Sequence, residues 1–402
     1  MSEAQPDINV AFVTPWYGAD IPGGMEAETR RTAERLVHAG ISAHILTTTI
    51  RDFFADWSKN HHKTTRETIN GVPVRRFPVR RRDRAAFDAV NWRLMQNLPI
   101  TPRQEQTYIR QMINCPDLYD HIRTAPASTI FLFIPYMFAT TYYGAQVWPR
   151  RSLVIPCLHD ESYARLSLYR QVFPHVRGLI LHTEAELALA DALYPRDEGQ
   201  LRVVLGEGVD TDWQGDADRF RQKYGIRGDF VLVAGRKDAG KNTPLLLDYW
   251  RRYVHQRRPS LRLLFIGPGD ITIPLDLADS VVDLGFVPRQ DKYDAHAASL
   301  LLCQPSTNES FSLVLMESWL AQRPALVHAD CAVTVEQCQK ANAGLYFADY
   351  DEFAATLDYF QAQPQTARRM GEQGRRYVLA NFHWDVVVAR YRALLARVAR
   401  GA

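Results

Sequence analysis

Ile8-Asn9-Val10-Ala11-Phe12-Val13-Thr14, a turn ending in Gly23-Gly24, a helical stretch from about Met25 to His38 closed by Gly40, and Ile41-Ser42-Ala43-His44-Ile45-Leu46-Thr47 follow one another at the start of the chain. A short apolar run, a glycine loop, one helix and a second short apolar run make the βαβ unit of a parallel, doubly wound sheet. Further apolar runs at Thr129–Ile134, Ser152–Pro156, Gly178–Leu181 and Leu201–Val204 extend that sheet to about residue 208. The second half repeats the layout. Phe230–Ala234 leads into a glycine-bounded loop and a helix, and strands are expected at Leu261–Gly267, Ser280–Leu284 and Ser299–Cys303. The chain therefore reads as α/β with two Rossmann-like domains, 1–208 and 209–380, facing across a cleft, and a last helix in 381–402 that packs back on the first domain.

The size agrees, since 402 residues exceed what one ordinary core holds. A formal net charge of +3 is close to neutral for this length and argues against a dedicated nucleic-acid binder. No apolar stretch reaches the roughly 18 residues that span a bilayer, and residues 1–7 lack a basic and apolar leader. A cytoplasmic protein is expected. Cys115, Cys157, Cys303, Cys331 and Cys338 show no CxxC or His/Cys ligand spacing and read as reduced thiols.

Several loops carry residues suited to a phosphorylated, polyhydroxylated ligand. Gly23-Gly24 before a helix lets backbone N–H groups approach an anion. It is not a GxGxxG fingerprint, and Thr47-Thr48-Thr49 offers no acidic residue to a ribose, which weakens a dehydrogenase reading. Gly235-Arg236-Lys237-Asp238-Ala239-Gly240-Lys241-Asn242 puts cations where a strand ends, suited to a leaving diphosphate; a solvated surface loop is the plain alternative. In Pro305-Ser306-Thr307-Asn308-Glu309-Ser310-Phe311-Ser312-Leu313-Val314-Leu315-Met316-Glu317, the two carboxylates flank a helix start with Ser310 or Ser312 near its N-cap. Eight steps at about 100° each leave Glu309 and Glu317 on different faces, so the pair brackets a helix N-terminus rather than forming one acid–base couple. His159, after the Ser152–Pro156 strand, can contact a sugar hydroxyl or phosphate or can be structural. Tyr136, Phe138, Tyr142 and Tyr143 read as core before they read as a sugar platform. Asp210-Thr211-Asp212 and Asp216-Ala217-Asp218 spell DxD in the interdomain connection, where capping is the better account, and no metal site is expected. Arg75, Arg76, Arg80, Arg81, Arg82 and Arg84 form the most basic stretch, either a solvated loop or a peripheral contact with anionic lipid headgroups.

Paired Rossmann-like halves, Gly23-Gly24, Gly206-Glu207-Gly208-Val209-Asp210, the Gly235–Asn242 loop and Glu309-x7-Glu317, in this order over nearly the whole chain, resemble the retaining GT-B-fold glycosyltransferases of family 4. The resemblance implies transfer of a hexose from a UDP- or GDP-linked sugar to a saccharide or lipid-linked saccharide acceptor in surface polysaccharide or glycolipid synthesis. No cofactor or metal is implied. Arg236 and Lys241 would hold the donor diphosphate, Glu309 the donor sugar's hydroxyls and Glu317 the ribose. Backbone N–H groups of Phe311 and Ser312 would touch phosphate, with Gly23 and Gly24 approaching from the other domain and His159 near the transferring sugar. The chain departs from the family in Ser310-Phe311-Ser312, where glycines are usual, and in His328–Thr334, where a glycine-rich turn is usual. A nucleotide-sugar 2-epimerase of the same fold is the alternative.

Overall fold

The computed structural model describes residues 8–21, 23–258 and 260–400, so the expectation about a leader in residues 1–7 lies outside it. The chain divides into two compact units, Met1–Gly208 with Trp384–Ala402, and Val209–His383.

In the first unit, strands β1 (Asn9–Val13), β2 (Ser42–Thr48), β3 (Arg66–Ile69), β4 (Val72–Phe77), β5 (Thr129–Phe133), β6 (Ser152–Val154), β7 (Gly178–Leu181) and β8 (Leu201–Val204) form one sheet in the order β3-β4-β2-β1-β5-β6-β7-β8. All neighbours are parallel except β3 and β4. Parallel strands are covered on both faces, and β1 shows it: Ala11 and Val13 point into one apolar cluster, Val10 and Phe12 into the other. The last helix, Trp384–Arg400, belongs to this unit. Its Trp384, Val387, Tyr391, Leu394 and Val398 pack with Val10, Phe12, Ala33 and Leu36.

The β3–β4 hairpin corrects the reading of the arginine-rich stretch as a solvated loop. Arg75 and Arg76 lie on β4, and Arg76 is buried against Glu67 at 2.5 Å. Arg80 donates to the Arg110 carbonyl at 2.6 Å, and Arg82 stacks over Trp57 and Phe87. Tyr136, Phe138 and Tyr142 are buried in the core, as expected.

In the second unit, β9 (Phe230–Ala234), β10 (Arg262–Ile266), β11 (Val281–Asp283), β12 (Leu301–Gln304), β13 (Ala325–His328) and β14 (Gly344–Phe347) run parallel in the order β11-β10-β9-β12-β13-β14. The order reverses between β9 and β12. In doubly wound sheets that switch point leaves a crevice at the carboxyl ends of the strands, where ligands bind. The unit runs to His383 rather than 380, because the helix Pro364–Phe382 continues until Phe382 meets Phe311 edge-on, ring centroids 4.9 Å apart.

That helix lies close against the helix Leu313–Leu320 and the turn after it. A Cβ on Gly371 would come within 2.0 Å of the Gln322 carbonyl oxygen, and one on Gly374 within 2.4 Å of Trp319. Backbone cannot yield as a flexible side chain can. Gly371→Ala is expected to cost about 1–3 kcal/mol, as overpacked sites do, read as a lowered thermal midpoint.

Candidate functional site

The crevice of the second unit collects the loop after β9 and the loop after β12. The first turns sharply because Gly235 (φ 132°) and Gly267 (φ 128°) lie backbone to backbone: a Cβ on Gly267 would stand 2.1 Å from the Gly235 carbonyl oxygen. The loop then closes into a short 3₁₀ turn, Ala239–Lys241, whose N-cap Asp238 accepts from the Lys241 N–H at 2.9 Å. This turn aims the Lys241 side chain across the switch point. Its Nζ meets Glu309 Oε1 at 2.5 Å, although 68 residues separate the two in sequence. Gln304, the last residue of β12, donates from Nε2 to the same Oε1 at 2.8 Å and accepts from Ser312 Oγ at 2.6 Å. Glu309 is thus 10% exposed at the side chain and held by an ammonium and an amide.

Ser312 is the N-cap of the helix Leu313–Leu320, as one of the two expected positions, but it sits at φ 75° and its hydroxyl turns to Gln304 rather than capping. The free N–H groups and positive end of that helix lie beside Glu309 in sequence and favour an anion. Phe311 is buried in the core cluster under the helix.

Glu317 lies just over one turn into the helix and faces the helix Arg289–Ala298. Lys292 donates to its Oε1, and His296 Nε2 stands 3.7 Å from its Oε2. Burial opposes ionisation here, yet the Lys292 charge and the neighbouring His296 outweigh it and bring the Glu317 carboxyl down to about 2. Burial keeps the His296 imidazole below its ordinary range and therefore neutral at pH 7.

The two cations expected to act together differ. Arg236 is exposed, 3.3 Å from Asp238, whereas Lys241 is half-buried on Glu309. Lys237, counted with them as a loop cation, is buried and bonded to both oxygens of Asp283 at 2.6 and 2.9 Å, so it braces the loop instead. Lys292, His296, Gln304 and Asp283 were missed in the sequence. Lys292 and His296 at i and i+4 share a helical face, which was the one signal available.

In the first unit, Gly23 is the N-cap of the helix Gly24–His38, at φ 137°, with the Glu26 side chain where its Cβ would be; around Gly24 a Cβ would meet nothing within 4 Å. His159 follows β6, partly exposed, its Nδ1 4.0 Å from Glu161, which accepts from the Tyr136 hydroxyl at 2.8 Å. Asp160 pairs with Arg165, and neither acid caps the short helix that follows. Of the DxD residues, Asp216 does cap a helix, through the Arg219 N–H at 3.0 Å, whereas Asp210 pairs with Arg289 at 2.7 Å.

Residues 216–377 match the family described as Glycosyl transferases group 1. Among curated proteins, the chain is 24% identical over 239 residues to "Glycosyltransferase 1 domain-containing protein 1" of Xenopus tropicalis, covering 56% of this chain and 68% of that one. It is 28% identical over 248 residues to a D-inositol 3-phosphate glycosyltransferase of Gordonia bronchialis, covering 57% of this chain and 54% of that one. The alignments thus span about half to two thirds of these relatives' length. Among solved structures, sucrose-phosphate synthase from Thermosynechococcus elongatus superposes with a TM-score of 0.73 at 15% identity, over 98% of this chain and 100% of that one. Anabaena HepE in complex with UDP and glucose gives a TM-score of 0.66 at 16% identity, over 97% and 99%. The fold is GT-B, and the stretch of the second unit that is similar to Glycosyl transferases group 1 contains Lys241, Glu309 and Glu317.

Proposed function

We propose that the chain transfers a hexose from a nucleoside diphosphate sugar to a saccharide or lipid-linked saccharide acceptor, with retention of anomeric configuration and without a metal in the donor site. The observation that carries this reading is the Lys241–Glu309–Gln304–Ser312 cluster at the switch point of the second sheet, beside a helix N-terminus. Both donors to Glu309 converge on Oε1, so Oε2 is the oxygen that accepts from a sugar hydroxyl. Lys241, tethered to that carboxylate, stays at hand for the diphosphate, whose growing negative charge on departure it stabilises. Arg236 adds a second, more mobile charge. The leaving phosphate takes the acceptor's proton as the new bond forms on the same face, so no carboxylate need act as nucleophile, unlike in retaining glycosidases. Glu317, shared with Lys292, accepts from the ribose hydroxyls. Gly23, Gly24 and His159 act on the donor from the first unit. Among the described residues no helix is long and apolar enough to cross a membrane.

Thermal shift against UDP, GDP, ADP and their sugars is the direct test. A ligand at 100 times its dissociation constant adds about 2.7 kcal/mol to the state that binds it. One nucleoside diphosphate is expected to raise the midpoint by several degrees while the others do not. A flat response to all of them rejects a donor site. Incubating the cognate nucleotide sugar without acceptor then separates the epimerase alternative, which would change the sugar's configuration unaided.

A further inference from the structure

The first unit brings three different metal-ligating groups together at the carboxyl ends of its strands. Glu28 comes from the second turn of the helix Gly24–His38, Cys157 from the loop after β6 and His182 from the end of β7. One ligand atom of each lies within 4.8 Å of the other two. Glu28 spans the set: its Oε1 is 2.7 Å from His182 Nε2, and its Oε2 accepts from the Cys157 thiol at 3.7 Å. On the far side of the ring, His182 Nδ1 is 3.2 Å from Glu186 Oε2, and Glu186 is fixed in turn by the Leu158 and His182 backbone N–H groups, each at 2.6 Å. A carboxylate on one imidazole nitrogen that leaves the other for a metal is the supporting arrangement histidine ligands use.

We propose that Glu28, Cys157 and His182 bind a thiophilic divalent cation of the Zn²⁺ class, with a water as fourth ligand. Sulfur, imidazole and carboxylate donors suit Zn²⁺ at about 2.0–2.3 Å, which puts neighbouring donors of a tetrahedron at roughly 3.3–3.8 Å. The Cys157–Glu28 separation of 3.7 Å falls in that range, and the His182–Glu28 separation of 2.7 Å widens as an ion enters between them. Glu28 and His182 are buried, and Cys157 is half-buried. Binding is an exchange: Zn²⁺ enters, and the thiol proton and the proton between His182 Nε2 and Glu28 leave to solvent, so the net change is the ion for about two protons. Because Cys157 is two residues before His159, the ion ties the His159 loop to the helix opened by Gly23-Gly24.

The full chain, stripped with a chelator and reloaded, is expected to retain one Zn²⁺ per molecule by elemental analysis and to release about two protons per ion in an unbuffered titration. Loading with Co²⁺ instead should give a thiolate-to-metal absorption band in the near ultraviolet. Cys157→Ser should abolish the band, and Glu186→Gln should weaken Zn²⁺ binding about 10- to 100-fold. Should Cys157→Ser fold poorly, protection of the wild-type Cys157 thiol from alkylation by Zn²⁺ gives the same answer. Zn²⁺ retention without the thiolate band, binding unchanged in Cys157→Ser, or no retention at all each overturn the proposal.

Discussion

Lys241→Ala is expected to lower kcat/KM for sugar transfer about 10²- to 10³-fold, the range seen when one preorganised charge that meets a developing oxyanion is removed. Two losses combine in it. The leaving diphosphate loses the ammonium that the 3₁₀ turn aims across the switch point, and Glu309, nearly buried, loses its counter-charge and keeps the Gln304 amide. The two residues act as a unit, so their effects should not add. In a double-mutant cycle, Glu309→Ala in the Lys241→Ala background is expected to cost clearly less than Glu309→Ala alone. Arg236→Ala should cost less than either, because its side chain is 57% exposed and the acid it pairs with, Asp238, is a solvent-screened partner. Steady-state kinetics with the donor identified by thermal shift decide the order. Activity of Lys241→Ala within threefold of wild type, or an Arg236→Ala loss larger than the Lys241→Ala loss, would remove Lys241 from the centre of the site.

What the sequence carried and what it hid follow from the range of the interactions. β1, β2, β5, β7 and β9 are apolar on both faces and announce themselves as continuous runs bounded by glycine or polar turns. The β3–β4 hairpin did not, because Arg66, Arg75 and Arg76 break its apolar pattern and Pro73 sits inside β4. Its turn, Asn70-Gly71, is nevertheless a strong hairpin signal, and both residues take the positive φ, 49° and 83°, that such a turn requires. β14 is a short edge strand whose Leu345 is only partly buried and whose Tyr346 is exposed, too brief to stand out. At the site, Glu309 and Lys241 could each be found because they lie in loops after strands. Their partners could not. The Lys241–Glu309, Lys237–Asp283 and Lys292–Glu317 pairs join residues 68, 46 and 25 apart, and only the strand order decides which loops meet.

The Glu317–Lys292–His296 group makes a second large effect, on stability rather than rate. A carboxyl ordinarily near 4.5 that is held at about 2 when folded favours the folded state by about 3 kcal/mol at pH 7, at 1.36 kcal/mol per unit. The sign follows from proton uptake. Below about pH 4.5 the unfolded chain protonates at this position and the folded one does not, so the stabilisation is complete above that pH and disappears as the pH falls through 2. His296 acts in the same direction over a different window: buried and neutral when folded, it takes a proton on unfolding, so stability begins to fall from about pH 6.5 downward. Glu317→Gln should therefore be destabilised by about 3 kcal/mol at pH 7, leaving the Lys292 ammonium, itself only partly exposed, without its counter-charge. Between pH 4.5 and 2 the variant should lose less than wild type, so that the two stability curves converge, while both keep the slope that starts near pH 6.5. Denaturant unfolding at pH 7, 5 and 3 separates the windows. Curves for wild type and Glu317→Gln that stay parallel from pH 5 to 3 would mean that the Glu317 carboxylate is not held ionised in the fold, and the reading of this helix pair as a buried charge clamp would fail with it.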